Sequence, residues 1–259
     1  MAPIDPPPAK DKHSLPSFHL KALRLEERGC ELFFANVHPK QTLQDAARKV
    51  LRTLYPEDFD HASPPPRIRS VTLFLDGMEG VAYTCSSAID EQHKEIHIST
   101  GYLEGVYDNS GKDEQRLKHE IEGVLTHEMV HVFQLDGSGS APGGLIEGIA
   151  DWVRHENHLD PPHWREGPSE DENWDAGYQT TGFFLAWLSK RSHRPHLVPR
   201  LNSALLKNSW SEDLLTELVG STDSIEKLWE TYKRSLDRSK EDSPPLPIPT
   251  HSYRPSYRG

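Results

Sequence analysis

Long hydrophobic runs are missing from this 259-residue chain. No stretch approaches the roughly 18 consecutive apolar residues that a membrane-spanning helix needs. The N-terminus also has no apolar core of about 7–15 residues behind a positively charged start, the pattern of a secretory signal. We therefore expect no membrane partner; the missing signal favours a cytoplasmic location and leaves the localisation open.

Positive charge and cysteine are scarce as well. Lysine and arginine total 29 against 40 for aspartate and glutamate, which gives a formal net charge of −11. Because an acidic chain repels the phosphates of a nucleic acid, we expect no nucleic-acid partner. The two cysteines, Cys30 and Cys85, are compatible with a disulfide or with two free thiols, and the missing secretory signal favours free thiols.

Proline is abundant, at 21 residues, and it concentrates at the two ends of the chain. Residues 2–16 and 242–259 have too few apolar side chains to offset the entropy lost on folding. We therefore predict a disordered Pro-rich tail over residues 1–20, one domain over residues 21–240 and a second disordered Pro-rich tail over residues 241–259.

The spacing of apolar residues changes along the chain. Residues 41–55 have helical spacing, and the strand candidates that follow are 67–76, 79–84 and 94–99. From about Asp113 the spacing is helical again, and further helices are predicted near 145–156, 174–190, 195–207, 211–219 and 223–237. The sequence thus predicts an α+β fold: a small N-terminal mixed sheet with a helix packed on it, then a helical C-terminal part.

The segment THEMVHVFQ (126–134) carries the strongest chemical signal. Residues four apart lie on one face of a helix, so His127 and His131 can direct two imidazole nitrogens at one metal ion. Glu128 lies on the flank, where its carboxylate can act as general base on a metal-bound water. In a chain with 15 histidines this short pattern can arise by chance, so a third ligand has to be found.

The next predicted helix offers two carboxylates one turn apart, Glu147 and Asp151. In the opening turn, Glu147 also suits the positive end of the helix dipole, so we expect it to bind the metal. Asp151 is then placed to accept the other ring N–H of a ligand histidine. The reverse assignment, and an arrangement with both carboxylates facing solvent, are the alternatives. The small residues Gly148 and Ala150 would let this helix lie close to the first one.

Other histidines compete for the third ligand position. His155, His158 and His163 follow in the chain, with the surface of a loop as their default location. The metzincin zinc-site pattern needs a third histidine six residues after His131, but that position is Gly137.

Several segments within about residues 31–237 form a recognisable set: GVAYT (80–84), EIHIS (95–99), LTHEMVHVFQ (125–134), GLIEGIADWVR (144–154), WDAGYQTTGFFLAWL (174–188), LNSAL (201–205) and LLTELVGSTDSIEKLWETYK (214–233). In these segments the chain resembles the plant basic secretory protein family, the peptidases of plants and bacteria. The chain departs from the family name because it is acidic and has no visible leader, whereas members of the family are often secreted.

The resemblance implies a zincin-like metallopeptidase domain with a gluzincin-like site and Zn²⁺ as its cofactor. It also implies roles for individual residues: His127, His131 and Glu147 as metal ligands, Glu128 as the base and Asp151 in support of a ligand histidine. These roles agree with the assignment made from helix geometry.

Tyr178 is a further catalytic candidate. Zincins often place a phenol or a cation beside the developing oxyanion, where a fixed donor stabilises the transition state. In the alternative interpretation, Tyr178 belongs to a buried helical stripe with Trp174, Phe184, Leu185 and Leu188.

The expected function is a zinc-dependent peptidase, a metalloendopeptidase-like hydrolase that uses a metal-activated water and Glu128 as base. Its partner would be a peptide or protein substrate in an extended conformation along strand 79–84 or 94–99, and we expect a monomer. One alternative is a non-catalytic zinc-containing interaction module, which would have no use for Glu128. Another is a zinc amide hydrolase that acts on a non-protein substrate.

Overall fold

The structure is a computed structural model of the chain. The residues that it describes are 13–59, 63–168, 172–192, 195–207 and 209–241. The outer parts of both predicted tails lie outside these ranges, so disorder at the two ends stays a prediction.

Four strands form one sheet: β1 (Ser17–Ala22), β2 (Ser70–Asp76), β3 (Ala82–Ser86) and β4 (His93–Ser99). Their order across the sheet is β1-β2-β4-β3. The first three strands in this order run parallel, whereas β3 pairs antiparallel with β4 and lies at one edge. The predicted small mixed sheet is confirmed, with one strand more than the sequence indicated.

The additional strand, β1, corrects the predicted boundary of the N-terminal tail. The tail was predicted to extend to residue 20, but Ser17–Ala22 belongs to the sheet. Phe18 and Leu20 are partly buried on the core side, and the strand pairs in parallel with β2, beginning at Ser17 opposite Ser70. The partner strand is remote in sequence, so local composition gives little sign of this pairing.

The described residues contain nine helices: α1 (Arg28–Asn36), α2 (Pro39–Leu54), α3 (Thr100–Asn109), α4 (Glu114–Phe133), α5 (Gly143–Glu156), α6 (Tyr178–Arg191), α7 (Leu197–Ala204), α8 (Glu212–Val219) and α9 (Ile225–Glu241). Helices α1 and α3 were not predicted, and α6 begins four residues later than predicted. Within this part of the chain, no helix is both long and apolar enough to cross a bilayer. The elements confirm the α+β fold class.

The inner face of the sheet packs against helices and forms the core. Its fully buried residues are Val71, Leu73, Leu75, Ile96 and Ile98. Helix α2 contacts β1 and α4, and α4 contacts β3, β4 and α5. Helix α4 is buried along most of its length, since side chains on several sides of it lie against neighbouring elements. Residues in the second half of α4 are therefore held firmly in place.

The packing of α5 against its neighbouring helices differs from the prediction. Gly148 of α5 was expected to face α4, but a Cβ atom at this position would lie 2.3 Å from the Thr181 Cγ2 atom of α6. The tight approach of α4 and α5 is instead at Gly123, where a Cβ atom would lie 2.6 Å from the guanidinium of Arg154. Gly123 on α4 and Gly148 on α5 thus allow α5 to pack closely between α4 and α6.

Gly148→Ala is expected to lower the free energy of unfolding by about 1–3 kcal/mol, because the new methyl group overlaps Thr181. Gly105→Ala is the matched control, since Gly105 lies within α3 and a methyl group added there would have no neighbouring atom within 4 Å. The control should be stabilising by about 0.5–1 kcal/mol from helix propensity alone. Urea denaturation of both variants measures the difference, and stabilisation by Gly148→Ala would contradict the packing described.

Candidate metal centre

Two histidines on α4 aim their rings at one point. The helix begins at the N-cap Asp113, whose side chain accepts a hydrogen bond from the backbone N–H of Arg116 at 3.0 Å, and it runs unbroken through the motif. The Nε2 atoms of His127 and His131 lie 3.2 Å apart. The predicted convergence of the two imidazoles is therefore present in the structure.

Glu147 of α5 completes the group. Its Oε2 atom lies 3.1 Å from the Nε2 atom of His127 and 3.6 Å from that of His131. The three candidate ligand atoms all lie within 4.8 Å of one another. Glu147 comes after the first turn of α5, which contains no acidic residue, so the predicted help from the helix dipole does not apply.

The three residues fit a mononuclear metal ion. Tetrahedral zinc with bonds of about 2.0–2.2 Å places its nitrogen and oxygen ligands roughly 3.3 Å apart. The observed separations of 3.1, 3.2 and 3.6 Å are close to this value. Two imidazoles and one carboxylate are a donor set that suits Zn²⁺ and leaves a fourth position for water or substrate.

Each histidine has a partner on its other ring nitrogen. The Nδ1 atom of His127 lies 2.6 Å from Oδ1 of Asp151, which is 3% exposed. The Nδ1 atom of His131 lies 3.1 Å from Oε1 of Gln134, whose amide donates to the carbonyl oxygen of Ile146 at 3.2 Å. With Nδ1–H donated in both rings, an Nε2 atom that gives up its proton directs its lone pair at the candidate metal position.

These distances bear on the alternatives raised by the sequence. Asp151 is buried against His127 rather than grouped with the ligand atoms, so neither the reversed assignment nor two solvent-facing carboxylates agrees with the geometry. Among the later histidines, His155 bonds to Asp160 at 2.7 Å, and neither it nor His158 or His163 belongs to the His–His–Glu group.

Glu128 is held from the edge strand of the sheet. Its carboxylate is nearly buried, and the Thr84 hydroxyl lies 2.7 Å from Oε2 and 3.0 Å from the Glu128 carbonyl oxygen. Thr84 was not predicted to have a role. Its inward orientation, opposite to that of Tyr83 and Cys85, follows from strand alternation, but its proximity to Glu128 depends on how β3 packs on α4.

The charges around the site favour a cation. Burial opposes protonation of His127, but hydrogen bonds to Asp151 and Glu147 outweigh it and raise the pKa of His127 to about 10. Burial favours neutral Glu147, but its hydrogen bonds with His127 and His131 hold the pKa of that carboxyl well below its usual range. In the metal-free chain a proton on His127 thus supplies the positive charge that a metal ion can replace.

Zinc affinity is expected to rise with pH. The pKa of His127 is raised from 6.5 to about 10, so between these values the metal-free folded chain keeps a proton that zinc has to displace. Release of one proton makes the association constant increase about tenfold per pH unit across this window. Competition with a chromophoric chelator at several pH values measures the slope, and an affinity independent of pH would contradict the protonated state described.

Tyr178 lies beside the site and not in the core. It is the first residue of α6, it follows Gly177, and its φ of 45° is left-handed. The side chain is 59% exposed, and its ring stacks on His127 with 6.2 Å between the ring centroids. Trp174 precedes the helix, so the predicted buried stripe through both residues was wrong. The negative charge of Glu147, together with burial, raises the pKa of Tyr178, which keeps the phenol protonated.

The site opens into a cavity of about 1300 Å³. Edge strand β3 and the segment before it, with residues 81–84, form one wall, and Gly177–Thr180 at the start of α6 belong to another. His127, Glu128 and Glu147 also line the cavity. The arrangement gives the candidate metal position and the carboxylate of Glu128 access to the same open space.

The fold and the site define a class of protein, an α+β chain with a candidate metal centre in the wall of an open cleft. A family model described as peptidase of plants and bacteria matches residues 15–232, so the chain belongs to this family, the basic secretory protein family. The resemblance seen in the sequence is confirmed, and the family description indicates a peptidase-like enzyme with a peptide or protein substrate. Comparisons with curated proteins and with solved structures give no significant match.

Proposed function

We propose that this chain is a zinc-dependent peptidase with a zincin-like domain and that Glu128 is its general base. The observation that supports this most is the convergence of the His127, His131 and Glu147 ligand atoms in the wall of the cavity that Glu128 also lines. A purely structural zinc site has no use for such a neighbouring carboxylate and favours four protein ligands.

His127, His131 and Glu147 would hold the ion. The chemistry that zinc supplies in such a site is to lower the pKa of water and to polarise the carbonyl group under attack. Asp151 and Gln134 keep the two imidazoles in the tautomer that leaves each Nε2 free to bind.

Glu128 would move the proton. Its carboxylate takes a proton from the attacking water and later delivers it to the leaving amine. The Thr84 hydroxyl donates to Oε2 and so fixes the orientation of the carboxylate, with the other oxygen left for the proton. Since Thr84 belongs to the edge strand, this hydrogen bond fixes the position of the Glu128 carboxylate relative to β3.

The substrate would bind in an extended conformation along β3. Of the two strands considered from the sequence, β4 lies inside the sheet between β2 and β3, whereas β3 lies at the edge and lines the cavity. An edge strand presents unpaired backbone groups to which a peptide can add as a further strand. A peptide bound there would have its backbone beside Thr84 and Glu128.

Tyr178→Phe is expected to lower kcat about 100-fold with little change in zinc content, because loss of one oxyanion donor costs about 10²–10³-fold in kcat. The position of the ring over His127 and its exposure to the cavity support this role. Tyr107→Phe, on α3 and outside the cavity lining, is the matched control. Steady-state kinetics on one peptide measure both variants, and full activity of Tyr178→Phe would remove the phenol from the mechanism.

Hydrolysis of unfolded casein and of a peptide library, before and after chelation, tests the proposal. We expect activity that chelator removes and that zinc restores. Zinc binding without any hydrolysis would indicate the interaction module instead. Hydrolysis of small amides with no cleavage of peptides would indicate a non-protein substrate, and activity that persists without metal would contradict the proposal.

A further inference from the structure

A row of four side chains crosses the outer face of the sheet, one from each strand: Lys21, Phe74, His97 and Tyr83. The ring of His97 lies parallel between Phe74 and Tyr83, with centroid separations of 4.4 and 4.5 Å. The ammonium group of Lys21 lies 4.8 Å from the ring centroid of Phe74. Stacking on both sides therefore fixes the orientation of the His97 imidazole.

No protein group among the described residues makes a hydrogen bond to the His97 ring. In the part of the chain that the structure describes, its Nδ1 atom is buried and has no partner. Its Nε2 atom lies 3.6 Å from Oε2 of Glu95, which is too long for a hydrogen bond. The side chain is only 12% exposed. Because buried polar groups are normally paired, a buried Nδ1 atom with no partner is unusual.

Two further donor groups lie beside this ring. Cys85 of β3 is directly opposite Glu95 of β4 in the antiparallel pair, and its thiol is free and partly buried. One donor atom from each of Cys85, Glu95 and His97 lies within 4.8 Å of the other two. One sulfur, one oxygen and one nitrogen ligand are thus assembled on a face of the sheet that the candidate metal centre does not use.

We propose that Cys85, Glu95 and His97 bind a second metal ion, with the chemistry of zinc. Thiolate, carboxylate and imidazole are all ligands of Zn²⁺. The 3.6 Å between the Glu95 oxygen and the His97 nitrogen is close to the roughly 3.3 Å separation of two such ligands on a tetrahedral ion. On binding, the Cys85 thiol loses its proton to solvent and the sulfur becomes a thiolate ligand.

The position of this site gives it a structural consequence. Side chains of β3 alternate between the two faces, so Thr84, whose hydroxyl contacts Glu128, lies between two outward residues, Tyr83 and Cys85. An ion shared by Cys85 of β3 and by Glu95 and His97 of β4 ties the edge strand to the sheet. Metal binding on the outer face is therefore expected to stiffen the strand that carries Thr84.

Cobalt titration of the full chain under reducing conditions tests this proposal. Cobalt bound to a thiolate gives a charge-transfer absorption in the near ultraviolet, and the His127–His131–Glu147 group has no sulfur ligand to produce one. We expect this absorption in the unmodified chain, and we expect added zinc to remove it. The measurement involves no hydrolysis, so its outcome does not depend on the proposed peptidase activity.

Three variants separate the site from other sources of the signal. Cys85→Ser should abolish the absorption, and His97→Phe, which keeps the stack between Phe74 and Tyr83, should weaken cobalt binding at least tenfold. Cys30→Ser changes the other cysteine, which is buried in α1, and should leave the absorption intact. Absence of the absorption from the unmodified chain, or its persistence in Cys85→Ser, overturns the proposal. An unchanged cobalt affinity in His97→Phe overturns the part assigned to the imidazole.

Discussion

Glu128→Gln is expected to abolish peptide hydrolysis while the chain still binds zinc in stoichiometric amount. The amide has nearly the shape of the carboxylate and can still accept the hydrogen bond from Thr84, but it cannot take a proton from water. General acid–base catalysis contributes about 10²–10⁴-fold, and the side chain would act in two proton transfers, so a loss of at least about 1000-fold is expected. Metal analysis and steady-state kinetics on the same preparation measure both effects.

The matched control is Glu122→Gln. Glu122 lies on the same helix, about 1.7 turns earlier, and it does not line the cavity. This variant should retain both zinc and activity. Turnover of Glu128→Gln close to that of the unmodified chain would exclude Glu128 as the base, whatever its metal content.

Glu147→Ala is expected to remove the zinc equivalent that His127 and His131 help to hold, and with it the activity. The substitution leaves only two imidazoles, which do not hold a catalytic zinc ion. The fold should survive, because the Glu147 side chain is 31% exposed and is not part of the hydrophobic core. Equilibrium dialysis against zinc measures the change, with the unfolding transition recorded in parallel to establish that the variant is folded.

Asp151→Asn supplies the comparison that distinguishes the two carboxylates. Loss of a residue that only orients a ligand histidine typically lowers metal affinity or activity about 10–100-fold. This is a smaller effect than the loss of a ligand. Glu147→Ala should therefore bind zinc far more weakly than Asp151→Asn does. The reverse order would assign the metal to Asp151 and contradict the grouping of Glu147 with the histidines.

The sequence is most informative where the chemistry depends on one helix. His127, Glu128 and His131 are related by the fixed geometry of α4, so their relative positions could be predicted without knowledge of the rest of the fold. The position of Glu147 relative to the histidines could not be predicted from helix geometry alone, because it depends on the path of the chain from the end of α4 into α5. The spacing of Glu147 and Asp151 suggested two roles, and tertiary packing decided which oxygen faces which nitrogen.

Residues that act from other elements could not be predicted in this way. Thr84 reaches Glu128 because β3 packs on α4, and Gln134 reaches His131 only where the helix ends and the chain turns. Tyr178 lies beside the site, and the alternative that put it in a buried helical stripe with Trp174 was wrong, because α6 begins at Tyr178 itself in a left-handed conformation. The conformation of a single residue leaves no periodic pattern in the sequence, so the start of α6 could not be predicted from spacing.

The elements that the sequence did not predict, α3 and β1, also depend on tertiary contacts. Helix α3 contains Gly101 and Gly105, which lower its helix propensity, and it is stabilised by packing on α1 and α4. Strand β1 is short, follows a Pro-rich stretch and obtains its hydrogen bonds from β2. In both cases the stabilising contacts are tertiary, and local composition gives little sign of the element that forms.

Anomalous diffraction on either side of the zinc absorption edge, from crystals of the full chain grown with zinc, tests the central claim most directly. We expect a peak about 2.0–2.2 Å from the Nε2 atoms of His127 and His131 and from an Oε atom of Glu147, with a further contact to water. No peak between these three side chains at saturating zinc, in crystals of an active preparation, would contradict the account.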